Sequence, residues 1–308
     1  MQKFMTTQVF KKKYGTEEHC LKALLEFRMS EDRICFSPNC NAPIDGFYHR
    51  LRGKKAFICS KCLKHVYPMA DSIFDHTHIA INDWFEIMFK MVYSRNGISA
   101  KEIHRTYGFS YPTVFRILNA IRQLMDECLD FEFANTVVEI DESYVPTGGK
   151  GMGRHFYMGR GRGNQRNTTI LAIIERRGKC KMFVIPAADA DTIIPIITAN
   201  VPTSTTISTD TWGAYNKLKS LGYDHVMVNH HKHEFTRENA STNSAENAFK
   251  NFKSMIEGTY RNVTQKTLPN YLSEFSFRHT FRYEYDYGFH ELLKRLPSLT
   301  LTYSKIAA

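Results

Sequence analysis

Two cysteine pairs near the start of the chain constrain its fold more than any other feature. Cys35 and Cys40 flank Phe-Ser-Pro-Asn, and Cys59 and Cys62 flank Ser-Lys. Between the pairs, Asn41 to Ile58 carries alternating apolar residues and a turn at Arg52-Gly53-Lys54, which reads as a short β-hairpin. Cysteine pairs at the ends of hairpins make a tetrahedral thiolate site, the zinc-ribbon pattern, although the first pair has a wider gap than the usual two residues. Four thiolates would leave no open position on a Zn²⁺ ion, so its role would be structural. Four buried free thiols are the alternative. A ribbon this small has too little core to fold without its metal.

The rest of the chain is large enough for more than a ribbon. It has 308 residues, 43% hydrophobic and 23% charged, which can fill a core and suggests two domains or one with an appendage. The seven cysteines are an odd number in a long chain, so a disulfide framework is a poor reading and a reducing compartment the better one. No apolar run approaches the ~20 residues that span a bilayer, so no membrane is expected. Met1 to Tyr14 has lysines but no apolar run behind them, which argues against a secretory signal. For a bacterial chain these features imply the cytoplasm, at the nucleoid. With 41 Lys+Arg against 31 Asp+Glu, the net charge of +10 fits a polyanionic partner.

A helical stretch follows the ribbon. Asn82 or Asp83 can cap a helix starting near Trp84, whose apolar residues recur at helical spacing until Gly97 ends it. Ser99 and Glu102 form a capping box for a second helix that stops at Gly108. Ser110 caps a third, with Val114, Ile117, Leu118 and Ile121 inside. A short helix, a glycine turn and a longer helix is the helix-turn-helix layout, and the third helix would offer Tyr111, Thr113, Arg116 and also Asn119 to a DNA groove. An ordinary three-helix bundle is the competing reading; the ribbon before it and the basic charge favour DNA.

From Thr136 the pattern turns to β-branched runs. Val137 to Val145 reads as a strand, and Thr168 to Ile174 and Lys181 to Ile185 as two more. Asp191 to Thr198 reads as a helix, Thr205 to Thr209 and Asp224 to Val228 as strands, and Thr242 to Ile256 as a helix. That order is an RNase H-like α/β sheet. Asp141 sits inside an apolar strand, where a carboxylate needs a reason. Asp210 sits where a strand ends, and Glu246 lies on the later helix, nearly in line with Lys253. If Asp141 and Asp210 are on neighbouring strands, the helix can lay Glu246 over both. Three carboxylates in one place repel unless divalent cations occupy the site, and hard oxygen ligands fit two Mg²⁺ or Mn²⁺ ions. Taken singly, Asp141 is also readable as the partner of an arginine, Asp210 as a cap and Glu246 as a solvated helix residue.

The ordered set Cys35, Cys40, Cys59 and Cys62, then Gly97-Ile98-Ser99-Ala100, Val138-Glu139-Ile140-Asp141-Glu142-Ser143, Ser208-Thr209-Asp210 with Ala214-Tyr215, Thr242-Asn243-Ser244-Ala245-Glu246 and Gly258-Thr259-Tyr260 resembles one family. It is the DDE insertion-sequence transposases with an N-terminal zinc ribbon, the bacterial group related to eukaryotic Merlin elements. The resemblance covers roughly Tyr14 to Arg282. It implies that Asp141, Asp210 and Glu246 are the acidic triad, that Lys253 is the basic partner of Glu246 on the last catalytic helix, and that Asn243 is the family's asparagine before that glutamate. Thirty-five residues lie between Asp210 and Glu246, a spacing many DDE recombinases share. Ser241 stands where the family often has His, and Thr280 where it often has Asn; neither change removes a carboxylate.

The resemblance further implies hydrolysis of a phosphodiester at each transposon end, then attack of the exposed 3′-hydroxyl on target DNA, by a homodimer or higher assembly on double-stranded DNA. It divides the chain into a zinc-ribbon region at 14–72, a helix-turn-helix module at 79–130, a catalytic domain at 136–283 and a tail at 284–308. Two other functions share these features: a catalytically silent DNA-binding regulator and a nuclease that cuts without joining.

The glycine-rich stretch from Thr147 to Arg166 carries Lys150, Arg154, Arg160, Arg162 and Arg166 and no acidic residue, and reads as a DNA backbone clamp or a solvated hairpin loop. His230, His231 and His233 read as a surface or DNA-contacting cluster rather than a second metal site. Cys20, Cys128 and Cys180 read as buried thiols. Tyr271, Leu272, Phe275, Phe277, Arg278 and Phe281 read as a C-terminal helix packed on the core.

Overall fold

The computed structural model describes residues 5–29, 34–35, 37, 39–133, 137–147, 167–176, 178–228, 242–261, 263–282 and 287–297. It divides into two compact units, Met1–Val92 with Glu284–Ala308, and Tyr93–Tyr283. No helix among the described residues is long and apolar enough to cross a membrane.

The first unit opens with helices α1 (Thr7–Tyr14) and α2 (Glu17–Arg28). A short helical turn α3 (Ile44–Phe47) leads into the antiparallel strands β1 (Tyr48–Arg50), β2 (Phe57–Cys59) and β3 (His65–Val66). The expected hairpin is present, but its paired part is shorter than the apolar alternation. Asp45 and Gly46 depart from helical angles, and Gly46 takes φ 88°, which bends the chain before it can pair. Helix α4 (Ile81–Tyr93) lies in this unit but for its last residue. It starts three residues ahead of Trp84. Its Phe85 and Phe89 meet Tyr14 and Phe10, and helix α10 (Tyr287–Lys294) adds Phe289 to the same aromatic core.

The second unit contains α5 (Ala100–Tyr107) and α6 (Tyr111–Glu127), capped as their sequences dictate. The Ser99 hydroxyl accepts from the Glu102 amide at 3.1 Å, the Ser110 hydroxyl accepts from the Thr113 amide at 3.4 Å, and Gly108 ends α5 at φ 73°. Gly97 has a different job from the helix end expected of it, since α4 stops at Tyr93. A side chain at Gly97 would collide with the Tyr260 hydroxyl and the Glu274 carboxylate.

Those groups belong to a buried charge network. The Arg122 guanidinium of α6 donates to Glu274 at 2.8 Å, Tyr260 donates to the same carboxylate at 2.5 Å, and both residues of the ion pair are at most 1% exposed. Glu274 lies on α9 (Leu268–Thr280), so this pair fastens α6 to α9. Arg122 also stacks over Tyr271 at 4.3 Å.

The sheet of this unit has five strands in the order β6-β5-β4-β7-β8. They are β4 (Val137–Pro146), β5 (Asn167–Glu175), β6 (Cys180–Ile185), β7 (Thr206–Thr209) and β8 (Asp224–Met227). β4, β5 and β6 pair antiparallel, while β7 runs parallel to β4 and β8 parallel to β7. One face packs on α7 (Ala190–Asn200), with Ile140, Leu171, Ile207, Ile193 and Ile197 in its core. The other packs on α8 (Asn243–Met255) and α9, through Val145, Ile170, Ala172, Phe249, Phe252 and Phe275. Burial on both faces explains why β5 reads as a continuous apolar run. The connection from β7 to β8 holds only a three-residue 3₁₀ turn, Gly213–Tyr215. Cys20, Cys128 and Cys180 are buried thiols outside any disulfide, and Tyr271, Leu272, Phe275 and Phe277 are buried on α9.

Candidate active site and cysteine centre

Strand parity places the acidic residues of the second unit. On β4 side chains alternate, so Glu139, Asp141, Ser143 and Val145 share a face. Val145 lies in the core beneath α8, which fixes that face as the one α8 covers. On the parallel neighbour, Ser208 is in register with Glu139. Carrying the register two residues on sets Asp210, just past the end of β7, beside Asp141 and on the same side. α8 then brings Glu246 over that side from its first turn.

Asp141, Glu142, Ser143, Glu246, Lys250, Lys253 and Glu257 line a cleft of about 530 Å³ together with Phe249 and Ser254. Burial, then the charge of Glu142, with further contributions from Asp210 and Glu246, push the Asp141 carboxyl up to about 8, against a Glu142 amide that donates to it at 2.8 Å. Asp210 is steadied by the Trp212 amide, which donates to its carboxylate at 2.9 Å. The same turn sends Tyr215 to the opposite face, where its hydroxyl donates to Glu142 at 2.7 Å. Lys253 donates to the Ser143 hydroxyl at 2.7 Å, and burial lowers its pKa although Asp141 and Glu257 oppose the shift.

The cleft therefore gathers Asp141, Glu246 and Lys253, with Asp210 acting on Asp141 from the neighbouring strand end. Asn243 is exposed at the first position of α8 and is not among the lining residues. Tyr111 and Arg116 are exposed at the start of α6, and Thr113 is half-buried with its hydroxyl on Ser110 at 2.8 Å. Lys150, Arg154, Arg160, Arg162 and Arg166 lie outside the described residues, as do His230, His231 and His233. Glu139 was visible in the sequence only as part of a motif. In the fold it is fully buried on the Asp141 face and bonded to the start of α8. Two acidic residues at strand spacing in an apolar run were the available signal.

The first unit holds a second constellation. The ligand atoms of Cys35, Cys40, Cys59 and Cys62 all lie within 4.8 Å of one another, the one such group of three or more among the described His, Cys, Asp and Glu residues. The Cys35 and Cys62 sulfurs are 3.6 Å apart and those of Cys40 and Cys59 3.7 Å, close to the ~3.8 Å edge of a tetrahedron with Zn–S bonds of ~2.3 Å. Asn41 and Leu63, each following a cysteine, take φ 47° and 61°, so the chain curls back around both pairs in the same way. Burial pushes the Cys40 thiol up to about 12. Cys62 goes the other way, to about 7, because the Lys64 amide and the three other thiols outweigh its burial. Four converging sulfurs are compatible with zinc. The carboxylates of the cleft are spread more widely, and their hard oxygens fit Mg²⁺ or Mn²⁺ instead.

Residues 133–280 match the model of the family described as ISXO2-like transposase domain. A solved pre-cleavage Mos1 transpososome is similar at 9% identity over 68% of this chain and 76% of that one, with a TM-score of 0.29, too loose a likeness to carry an argument. No curated protein matches. The five-stranded mixed sheet is consistent with an RNase H-like transposase fold. The match supports a DDE insertion-sequence transposase domain of the ISXO2-like kind over residues 133–280.

Proposed function

We propose that the chain binds the terminal inverted repeats of an insertion sequence and catalyses metal-dependent strand cleavage and strand transfer on DNA. The observation that carries this is the convergence of Asp141, Asp210 and Glu246 on one sheet face within an ISXO2-like transposase domain. Asp141, Asp210 and Glu246 would hold two Mg²⁺ ions, which supply activation of an attacking oxygen and stabilisation of a leaving one in an in-line phosphoryl displacement. Lys253, beside Ser143 at the cleft wall, pairs with a DNA phosphate and offsets the charge gathered there. Asn243 helps to orient that DNA from the first turn of α8. The openness of the cleft to solvent suits a long polymer substrate.

Cys35, Cys40, Cys59 and Cys62 hold one structural Zn²⁺. With it, residues 14–72 and a helix-turn-helix at 79–130 recognise the repeats, and 136–283 carries the chemistry, while 284–308, expected as a tail, instead adds α10 to the first unit. Tyr111, Thr113 and Arg116 face the DNA from α6. Lys150, Arg154, Arg160, Arg162 and Arg166 neutralise its backbone, in keeping with the net charge of +10. The acting species is a homodimer or a higher assembly, since two ends must be held together.

A strand-transfer assay tests the proposal. Purified protein, Mg²⁺, a duplex carrying the repeats that flank its gene, and a supercoiled plasmid are combined, with Asp210→Ala as control. Joined products from the wild type alone support a transposase. Cutting without joining points to a nuclease, and repeat-specific binding with neither points to a regulator.

A further inference from the structure

Helix α8 reaches its position over the sheet with an unusual start. Its N-cap, Thr242, makes no side-chain capping bond. The first-turn amides find their acceptor on the sheet. The Ser244 amide donates to Glu139 Oε2 at 2.6 Å, the Ala245 amide to the same oxygen at 3.3 Å, and the Ser244 hydroxyl to Oε1 at 3.1 Å. Arg176 adds an N–H to Oε1 at 3.3 Å. Glu139 is fully buried, and a buried carboxylate is tolerated here because these donors and the positive end of the helix surround it.

The far end of the same helix is fastened too, by the bond from Lys253 to Ser143 at 2.7 Å. The two attachments match in length. Glu139 to Ser143 spans four strand residues, about 13 Å at ~3.3 Å each. Ser244 to Lys253 spans nine helical residues, about 13.5 Å at ~1.5 Å each. α8 therefore lies along β4 in a fixed axial register, with Asp141 midway between the pins and Glu246 next but one after Ser244.

We infer that Glu139 is a positioning residue for metal binding: as the substitute cap of α8, it sets the helix at the height where Glu246 joins Asp141 and Asp210. This rests on the reading of those three carboxylates as the metal site. Glu139 acts through α8 and ligates nothing. A glutamine at this position keeps the length but turns one acceptor into a donor facing amides and a guanidinium. A slip of one helical residue would move Glu246 by about 1.5 Å.

The test is Mn²⁺ binding to the zinc-loaded, DNA-free full chain, followed by the paramagnetic signal of free Mn²⁺. Glu139→Gln is expected to weaken binding about 10- to 100-fold, as loss of a group that orients metal ligands does. Ser244→Ala, which keeps both amide bonds and serves if the first variant folds poorly, is expected to weaken it about 2- to 10-fold. Amide exchange at Ser244 and Ala245 should accelerate in Glu139→Gln. In a Glu246→Gln background, Glu139→Gln should add no further loss. Unchanged Mn²⁺ affinity in Glu139→Gln, or a full additional loss in the Glu246→Gln background, overturns the inference. Unchanged affinity in Glu246→Gln alone removes the carboxylate reading and the inference with it.

Discussion

The cysteine centre and the carboxylate cleft are opposite answers to the problem of crowding like groups. Four sulfurs are drawn within 4.8 Å in a small sheet, buried but for Cys62, with no position left for a substrate atom. The carboxylates stand further apart around an open cleft of about 530 Å³, on a sheet whose two apolar faces are packed without them. A closed soft site can be structural, and the small sheet beside it packs on little besides the cysteines. An open hard site adds repulsion to a unit that is stable for other reasons, which is what a catalytic site costs its fold. Burial first, and then the charges of Glu142, Asp210 and Glu246, push the Asp141 carboxyl up to about 8.

Removing each metal should separate the two sites. Zinc chelation, or Cys35→Ser with Cys40→Ser, should unfold the three-stranded sheet, since structural zinc contributes on the order of 10 kcal/mol in small ribbons. Loss of β1–β3 amide protection in hydrogen exchange would show it, and retained protection would erase the contrast. Asp141→Ala should lower strand transfer about a thousandfold or more, the loss of several kcal/mol of barrier stabilisation, with end binding nearly intact. Quantified joining and a gel-shift titration on the same preparations check this.

Stability of the larger unit should depend on its buried pair instead. Arg122→Met leaves Glu274 only Tyr260 and the longer pair with Arg278, and should cost about 3 kcal/mol in denaturant unfolding. A variant as stable as the wild type would leave the fastening of α6 to α9 unexplained. The smallest effect has the opposite sign. Above about pH 8, where the Asp141 carboxyl ionises, Asp141→Asn removes one repelling charge and should raise the melting midpoint of the zinc-loaded, Mg²⁺-free chain by a few degrees, about 1 kcal/mol. A lower midpoint would mean that the charge stabilises the fold and that the cleft is not strained.

Local chemistry explains what the sequence made legible. The caps Ser99 and Ser110 act within three residues, so their helices could be read directly. Asp141 and Asp210 were legible because a charge in or after an apolar strand breaks the pattern. The partner of Glu139 was not, because its bonds join residues 105 and 106 apart, and only the packing of α8 on β4 creates them. Likewise Gly97 reads as a helix end until Tyr260 and Glu274 arrive beside it. Nothing in the sequence near Arg122 marks its partner, because the fold sets it on Glu274, 152 residues away.

One order-of-addition measurement tests the central claim most directly. Zinc-loaded protein, dialysed free of other metals, is bound to a labelled repeat duplex and mixed with plasmid before Mg²⁺ is added. Catalysis by the carboxylate cleft predicts no joined product before Mg²⁺, joining by the wild type after it, and equal duplex binding without joining by Asp141→Ala. Joining before Mg²⁺, or by Asp141→Ala, would contradict the assignment of catalysis to the carboxylate cleft.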